Sequence, residues 1–287
     1  MEHILRPIYQ ERASDPNTLG AILVEKIDDL SPETDNIDAI LLILVAEAEL
    51  SVFTKHYTYE EHHAAMHIVT NKQLRKWLLL GTNKKIINWI MDGRVVFDRN
   101  ETIYSLRQEM RNNPRYGRHV KLGIEFSKLL RRFQEGRVSF EQRDYVDAFF
   151  QMMECLYHVA RLSIIEVGVY PELKVWEQVK TYNNEIYDLY EGFIEKPRPI
   201  EQKILEVIVY IESFIDQKVV ESGRHIVEVM KQKDVWTIQE LHEHEELKNY
   251  SINLEVFVEY LIDKGYIKIE LLPTKSNDVK HRLYKVE

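Results

Sequence analysis

At 287 residues and 45% apolar side chains, the chain can build about two or three domains with proper cores, and 10 Gly with 8 Pro exclude collagen-like or low-complexity architecture. One cysteine, Cys155, excludes an internal disulfide and a cysteine-based zinc ribbon, and we expect it in a core. The net charge of −9 argues against a nucleic-acid coat protein, and the longest apolar run, Ala39–Ala46, falls far short of the roughly 20 residues of a membrane span, so a cytoplasmic protein with no membrane contact is expected.

In chain order, residues 1–112 alternate helix and strand. Ile4–Arg12 reads as a short helix and Ser14–Asn17 as a turn. Gly20–Glu25 and Ile37–Val45 are apolar runs of strand length, the second reading as a strand buried on both faces. The polar loop Lys26–Asn36 between them has the length of loops that carry function. His63–Thr70 follows as a third strand, then a helix Asn71–Leu80 with Asn71 as N-cap, a helix Lys84–Met91, and a strand Arg94–Asp98 after the turn Asp92-Gly93.

Residues 113–222 carry apolar side chains at three- and four-residue spacing and predict a helix bundle. The expected helices are Gly123–Gln134, Ser139–Val167 (opened by a capping box of Ser139 and Gln142), Pro171–Tyr182, Glu185–Ile194 and Pro199–Ser222. Residues 223–287 read as helices His225–Lys233, Thr237–Glu246 and Asn253–Lys264, then paired strands Tyr266–Leu272 and His281–Val286, the order of a winged helix-turn-helix. The fold class is therefore α+β: a mixed sheet with helices, a central helix bundle and a C-terminal winged helix.

The stretch Asp35-Asn36-Ile37-Asp38 opens the buried strand, giving DNIDAILLIL after AILVE and a polar loop. This spacing resembles the nucleotidyltransferase superfamily of polymerase-β type, including the antibiotic nucleotidyltransferases. That family has Gly-Ser after its first strand and Asp-x-Asp at the start of the second. Trp89–Asn100 is similar to the last strand of such domains, and Tyr157–Trp176 to their helical domain. The resemblance implies a site that holds Mg²⁺ and a nucleoside triphosphate, because two carboxylates two residues apart on a strand share a face. Asp38 matches the metal-ligand and catalytic position, Asn36 stands where the family has its first aspartate, and Asp35 is the supporting ligand if the loop turns it inward. The Gly-Ser position falls on Val24-Glu25, and His67 stands where a third carboxylate is expected.

The nucleotide side of that site would be Glu25 and His67 with the basic residues Lys72, Arg75 and Lys76, which otherwise form a solvated helical face. Residues 107–143 add 10 basic against 4 acidic side chains, and 144–223 hold 7 against 15. His63 and His67 would be about 13 Å apart on a strand, too far to chelate one ion. On the expected recognition helix, Glu255, Glu259 and Asp263 repel phosphate, whereas Lys275, Lys280, Arg282 and Lys285 lie on the wing. Two functions follow: nucleotidyl transfer from a triphosphate to an acceptor, or an inactive nucleotidyltransferase-fold module that binds a nucleotide and acts through protein or weak DNA contacts of its winged helix.

Overall fold

The computed structural model describes residues 2–26, 34–35, 37–112, 117–172, 174–195, 197–275 and 278–286. It separates into two compact units, Met1–Asn113 and Pro114–Glu287.

The first unit is a five-stranded mixed sheet with helices on both faces. Its elements are α1 (Glu2–Ser14), β1 (Thr18–Glu25), β2 (Ala39–Val45), β3 (Val52–Tyr59), β4 (His62–Thr70), α2 (Asn71–Leu80), α3 (Lys84–Asp92), β5 (Arg94–Asp98) and α4 (Thr102–Asn112). Strand order is β3-β4-β2-β1-β5. The central β2 runs antiparallel to β1, with Glu25 opposite Ala39, and parallel to β4, with Leu42 opposite His67. All seven β2 residues are buried. Alternation divides them: Ala39, Leu41, Ile43 and Val45 pack with Leu5 and Tyr9 of α1, whereas Leu42 and Leu44 face Leu74, Ile86, Ile90 and Ile103 of α2 to α4.

Three features of this unit differ from the sequence reading. β3 is absent from it because nearly every β3 side chain is exposed, so no period-two apolar pattern marks the strand. The helix α4 was likewise not anticipated. The α2 cap is Thr70, whose hydroxyl accepts the Gln73 N–H, and not Asn71.

The second unit holds α5 (Arg118–Glu141), α6 (Tyr145–Val167), α7 (Val175–Tyr182), α8 (Asn184–Glu195), α9 (Ile200–Met230), α10 (Ile238–Glu243), α11 (Leu254–Asp263) and the hairpin β6 (Lys268–Pro273) and β7 (Lys280–Lys285). Ser139 lies inside α5 and opens no helix; the chain breaks instead at Arg143, which adopts φ 64°. Pro171 does not start α7, because Gln178 holds the preceding segment irregular by donating to the Tyr170 carbonyl and accepting the Glu172 N–H. His225–Lys233 is no separate helix: its first six residues end α9, which runs unbroken through position 222. Gly223 serves packing there, since a Cβ would come within 2.9 Å of Leu261 on α11. The capping box of Thr237 and Glu240 on α10 is formed as expected. α11 ends in paired bonds from Tyr266 N–H to the Leu261 carbonyl and Gly265 N–H to the Ile262 carbonyl, with Gly265 at φ 81°. Cys155 is fully buried.

Candidate functional site

The candidate site lies where β1 ends and β2 begins. Asp38 sits one residue before β2 and is tied to both neighbours: its carbonyl accepts the Lys26 N–H at 2.9 Å and its N–H donates to the His63 carbonyl at 3.0 Å. Its carboxylate Oδ2 accepts the His63 N–H at 2.8 Å, and His62 Nδ1 lies 3.6 Å away. The His63 amide, with the nearby charge of His62 and Lys26, holds the Asp38 carboxyl below the usual carboxylate range. The local sequence explains the geometry. The register that buries the apolar run of β2 leaves the last polar residue before it beside the first turn of the β3–β4 hairpin.

Asp35 takes a left-handed backbone conformation, φ 51°, and its exposed carboxylate pairs with Lys85 of α3. Asn36 lies outside the described residues. His67 points to the side of the sheet where α3 packs: its ring is 5.1 Å from that of Trp89, and its Nδ1 is 2.9 Å from the Thr54 hydroxyl of β3. Burial pushes the His67 pKa down, His56 adds to this, and Asp35 opposes it. The imidazole at this position is therefore neutral at pH 7.

Glu25 ends β1 beside Arg94, 3.6 Å away, and Arg94 is shared with Glu2 at 2.8 Å. Glu25, Asn88, Trp89, Asp92 and Arg94 line a cleft of about 220 Å³. Gly93 at its back admits no side chain, because a Cβ would stand 2.5 Å from the Trp89 carbonyl. The cleft thus brings together two carboxylates and one guanidinium that Glu2 already shares, leaving a negative lining.

Of the basic residues expected at the site, Lys72, Arg75 and Lys76 lie on the exposed face of α2. Arg75 donates to both Glu109 carboxylate oxygens at 3.1 Å. None of the three is among the described residues lining the cleft. Among the described residues, no group of three His, Cys, Asp or Glu side chains is placed to hold a metal ion. Thr54, Asn88 and Asp92 were not anticipated. Thr54 belongs to the unrecognised β3, and the other two sit on the face of α3 turned to the sheet end, a rotation that no short helix reveals by itself.

In the second unit, the helix-turn-helix region carries its acids outward. Glu255, Glu259 and Asp263 of α11 are exposed. His242 Nε2 lies 3.0 Å from Glu255, and Arg282 of β7 lies 3.0 Å from Glu259. No helix among the described residues is long and apolar enough to cross a membrane.

Three family models match the chain in succession: Nucleotidyltransferase-like over residues 1–118, YgxA-like substrate binding domain over 119–218, and Helix-turn-helix domain over 224–286. Protein YgxA of Bacillus subtilis (strain 168) is 42% identical over 285 residues, 99% of this chain and 97% of that protein. The crystal structure of a nucleotidyltransferase-like protein from Exiguobacterium sibiricum 255-15 is 34% identical, covers 100% of this chain and 99% of its own, and superposes with a TM-score of 0.82.

Proposed function

This chain belongs to the nucleotidyltransferase-like family that includes Bacillus subtilis YgxA, and we propose that it keeps the fold without metal-dependent nucleotidyl transfer. It acts instead as a cytoplasmic module that binds a small ligand and signals through its helix-turn-helix domain. The observation that carries this reading is the Asp38 carboxylate, which is engaged by the His63 N–H at 2.8 Å and joins β2 to β4.

The other positions agree. A pair of magnesium ions needs several anionic oxygens held free. Here Asp35 is paired with Lys85, and the third position is the neutral His67, hydrogen-bonded to Thr54 and packed on Trp89. The donor set does not fit such a pair of ions. Glu25 and Asp92 would also repel a triphosphate at the place where the family approaches it with glycine and a hydroxyl. A cleft of about 220 Å³ lies below the roughly 300 Å³ at which drug-sized ligand pockets begin.

Isothermal titration with each nucleoside triphosphate, with and without Mg²⁺, tests this. No Mg²⁺-dependent binding and no pyrophosphate release are expected. Mg²⁺-dependent binding that Asp38→Asn abolishes would overturn the proposal. The exposed acids of α11 favour a protein partner over duplex DNA, since Arg282 of the wing is already engaged by Glu259.

A further inference from the structure

Within the second unit, the start of α11 is seated on α5 by a buried aromatic ring. Tyr250 lies in the short 3-10 turn Lys248–Asn253 that leads into α11, and it is 1% exposed. Its hydroxyl approaches α5 where Gly123 leaves room, since a Cβ at that position would collide with it. Phe257 of α11 packs on both Tyr250 and Phe126 of α5, with ring centroids 6.3 and 5.1 Å away.

His225 of α9 meets the same hydroxyl. Its imidazole is 5% exposed and nearly parallel to the Tyr250 ring. Nδ1 lies 2.9 Å from the Tyr250 oxygen, and Nε2 lies 3.4 Å from Oε2 of Glu246. These partners fix the tautomer. A carboxylate can only accept, so Nε2 carries the hydrogen and Nδ1 accepts the Tyr250 O–H. Burial pushes the Tyr250 pKa well up, so the hydroxyl keeps the proton it donates. Among the described residues that hydroxyl has no second hydrogen-bond partner.

Protonation undoes this arrangement. An imidazolium has no acceptor, so Nδ1–H points at the hydroxyl oxygen and the Tyr250 O–H is left buried without a partner. Glu246, before the turn, and Glu228 of α9 favour the charged ring, and His244 opposes it. Glu228 is itself held by Arg224 at 2.8 Å, and His119 of α5 also acts on it. Burial outweighs the two glutamates and holds the His225 pKa below the ordinary histidine value. A folded pKa below the unfolded one means that the neutral ring stabilises the fold. That stability is complete above about pH 6.5 and is lost as pH falls.

We propose that His225 is a pH-sensitive latch: neutral, it holds Tyr250 against α5 and keeps the start of α11 on the bundle, and protonated, it releases that segment. The latch acts on the helix-turn-helix region directly and needs no ligand at the strand mouth.

Hydrogen exchange of the full chain at pH 7.5 and 5.5, compared as protection factors, tests the latch. Protection across 247–258 should fall roughly tenfold or more at pH 5.5, while β2 of the sheet unit keeps its protection. His225→Gln offers an amide oxygen to the Tyr250 hydroxyl and an amide N–H to Glu246 without a titrating group, so its protection should be alike at both pH values. Tyr250→Phe removes the donor that protonation would orphan, so the acid loss should shrink in that variant as well, an independent arm if His225→Gln folds poorly. Followed by NMR, the His225 ring should protonate below the ordinary histidine value in the parent and at a higher pH in Tyr250→Phe. An acid loss as large in either folded variant as in the parent, an equal loss in β2, or a His225 ring that protonates at or above the ordinary value would overturn the proposal.

Discussion

The strand mouth of the sheet unit and the interior of the helical unit each set one carboxylate against a histidine, and they use it in opposite ways. Asp38 is 31% exposed, accepts one backbone N–H and has His62 at 3.6 Å. Glu125 is 4% exposed and is ringed by Arg161, His158 and Lys128. Solvent screens the first carboxylate, so losing a partner there costs little. The second has no solvent to replace what is removed, so each partner is obligatory. The carboxylate marked by a family motif and the carboxylate whose partners the fold cannot spare are therefore different residues.

Glu125→Gln tests the comparison most severely. It leaves the Arg161 guanidinium buried without its counter-charge, and a loss of about 3–5 kcal/mol is expected from urea denaturation. A loss below about 1 kcal/mol would mean that the helical interior tolerates charge as the surface does, and the contrast would fail.

Acid titration sharpens the same point with a somewhat smaller effect. Burial alone would raise the Glu125 pKa. Arg161, the hydrogen bond from His158 and the charge of Lys128 outweigh it and hold the carboxyl well below its ordinary range. A folded pKa below the unfolded value stabilises the protein above the unfolded pKa and is lost as pH falls, so the helical unit should weaken below about pH 5. The urea midpoint of the parent should fall with pH there, and that of Glu125→Gln should fall less steeply. Parallel acid limbs in the two proteins would assign the loss to other carboxylates.

The two regions were not equally legible in the sequence. β1, β2, β5 and the terminal hairpin could be read because apolar runs and turns are local signals, and the motif ending at Asp38 placed the strand mouth. β3 was hidden by its exposure on both faces, and with it the Thr54 partner of His67. The union of α9 was hidden by Gly223, which looks like a helix end and is instead a close approach to Leu261. The Glu125 cluster joins residues 33 and 36 positions apart. Its members look like ordinary surface charges until two helices are packed, and only the resulting burial turns them into a cluster whose partners depend on one another.

Asp38 gives the smallest expected effect and the sharpest use of the comparison. Asp38→Asn keeps an oxygen that can accept the His63 N–H and removes the charge, so a change below about 1 kcal/mol is expected. Asp38→Ala removes the acceptor as well, but His63 is exposed and water can take its N–H, so the further loss should stay near about 1 kcal/mol. The two variants therefore separate a carboxylate that joins two strands from one kept for its charge. If the hydrogen bond is what matters, Asp38→Ala should be the weaker protein and Asp38→Asn should match the parent in stability and in ligand binding. If Asp38→Asn alone removed a measurable binding activity while its urea midpoint held, the charge at the strand mouth would be functional, and the contrast with Glu125 would become one between a carboxylate kept for function and a carboxylate kept for the fold.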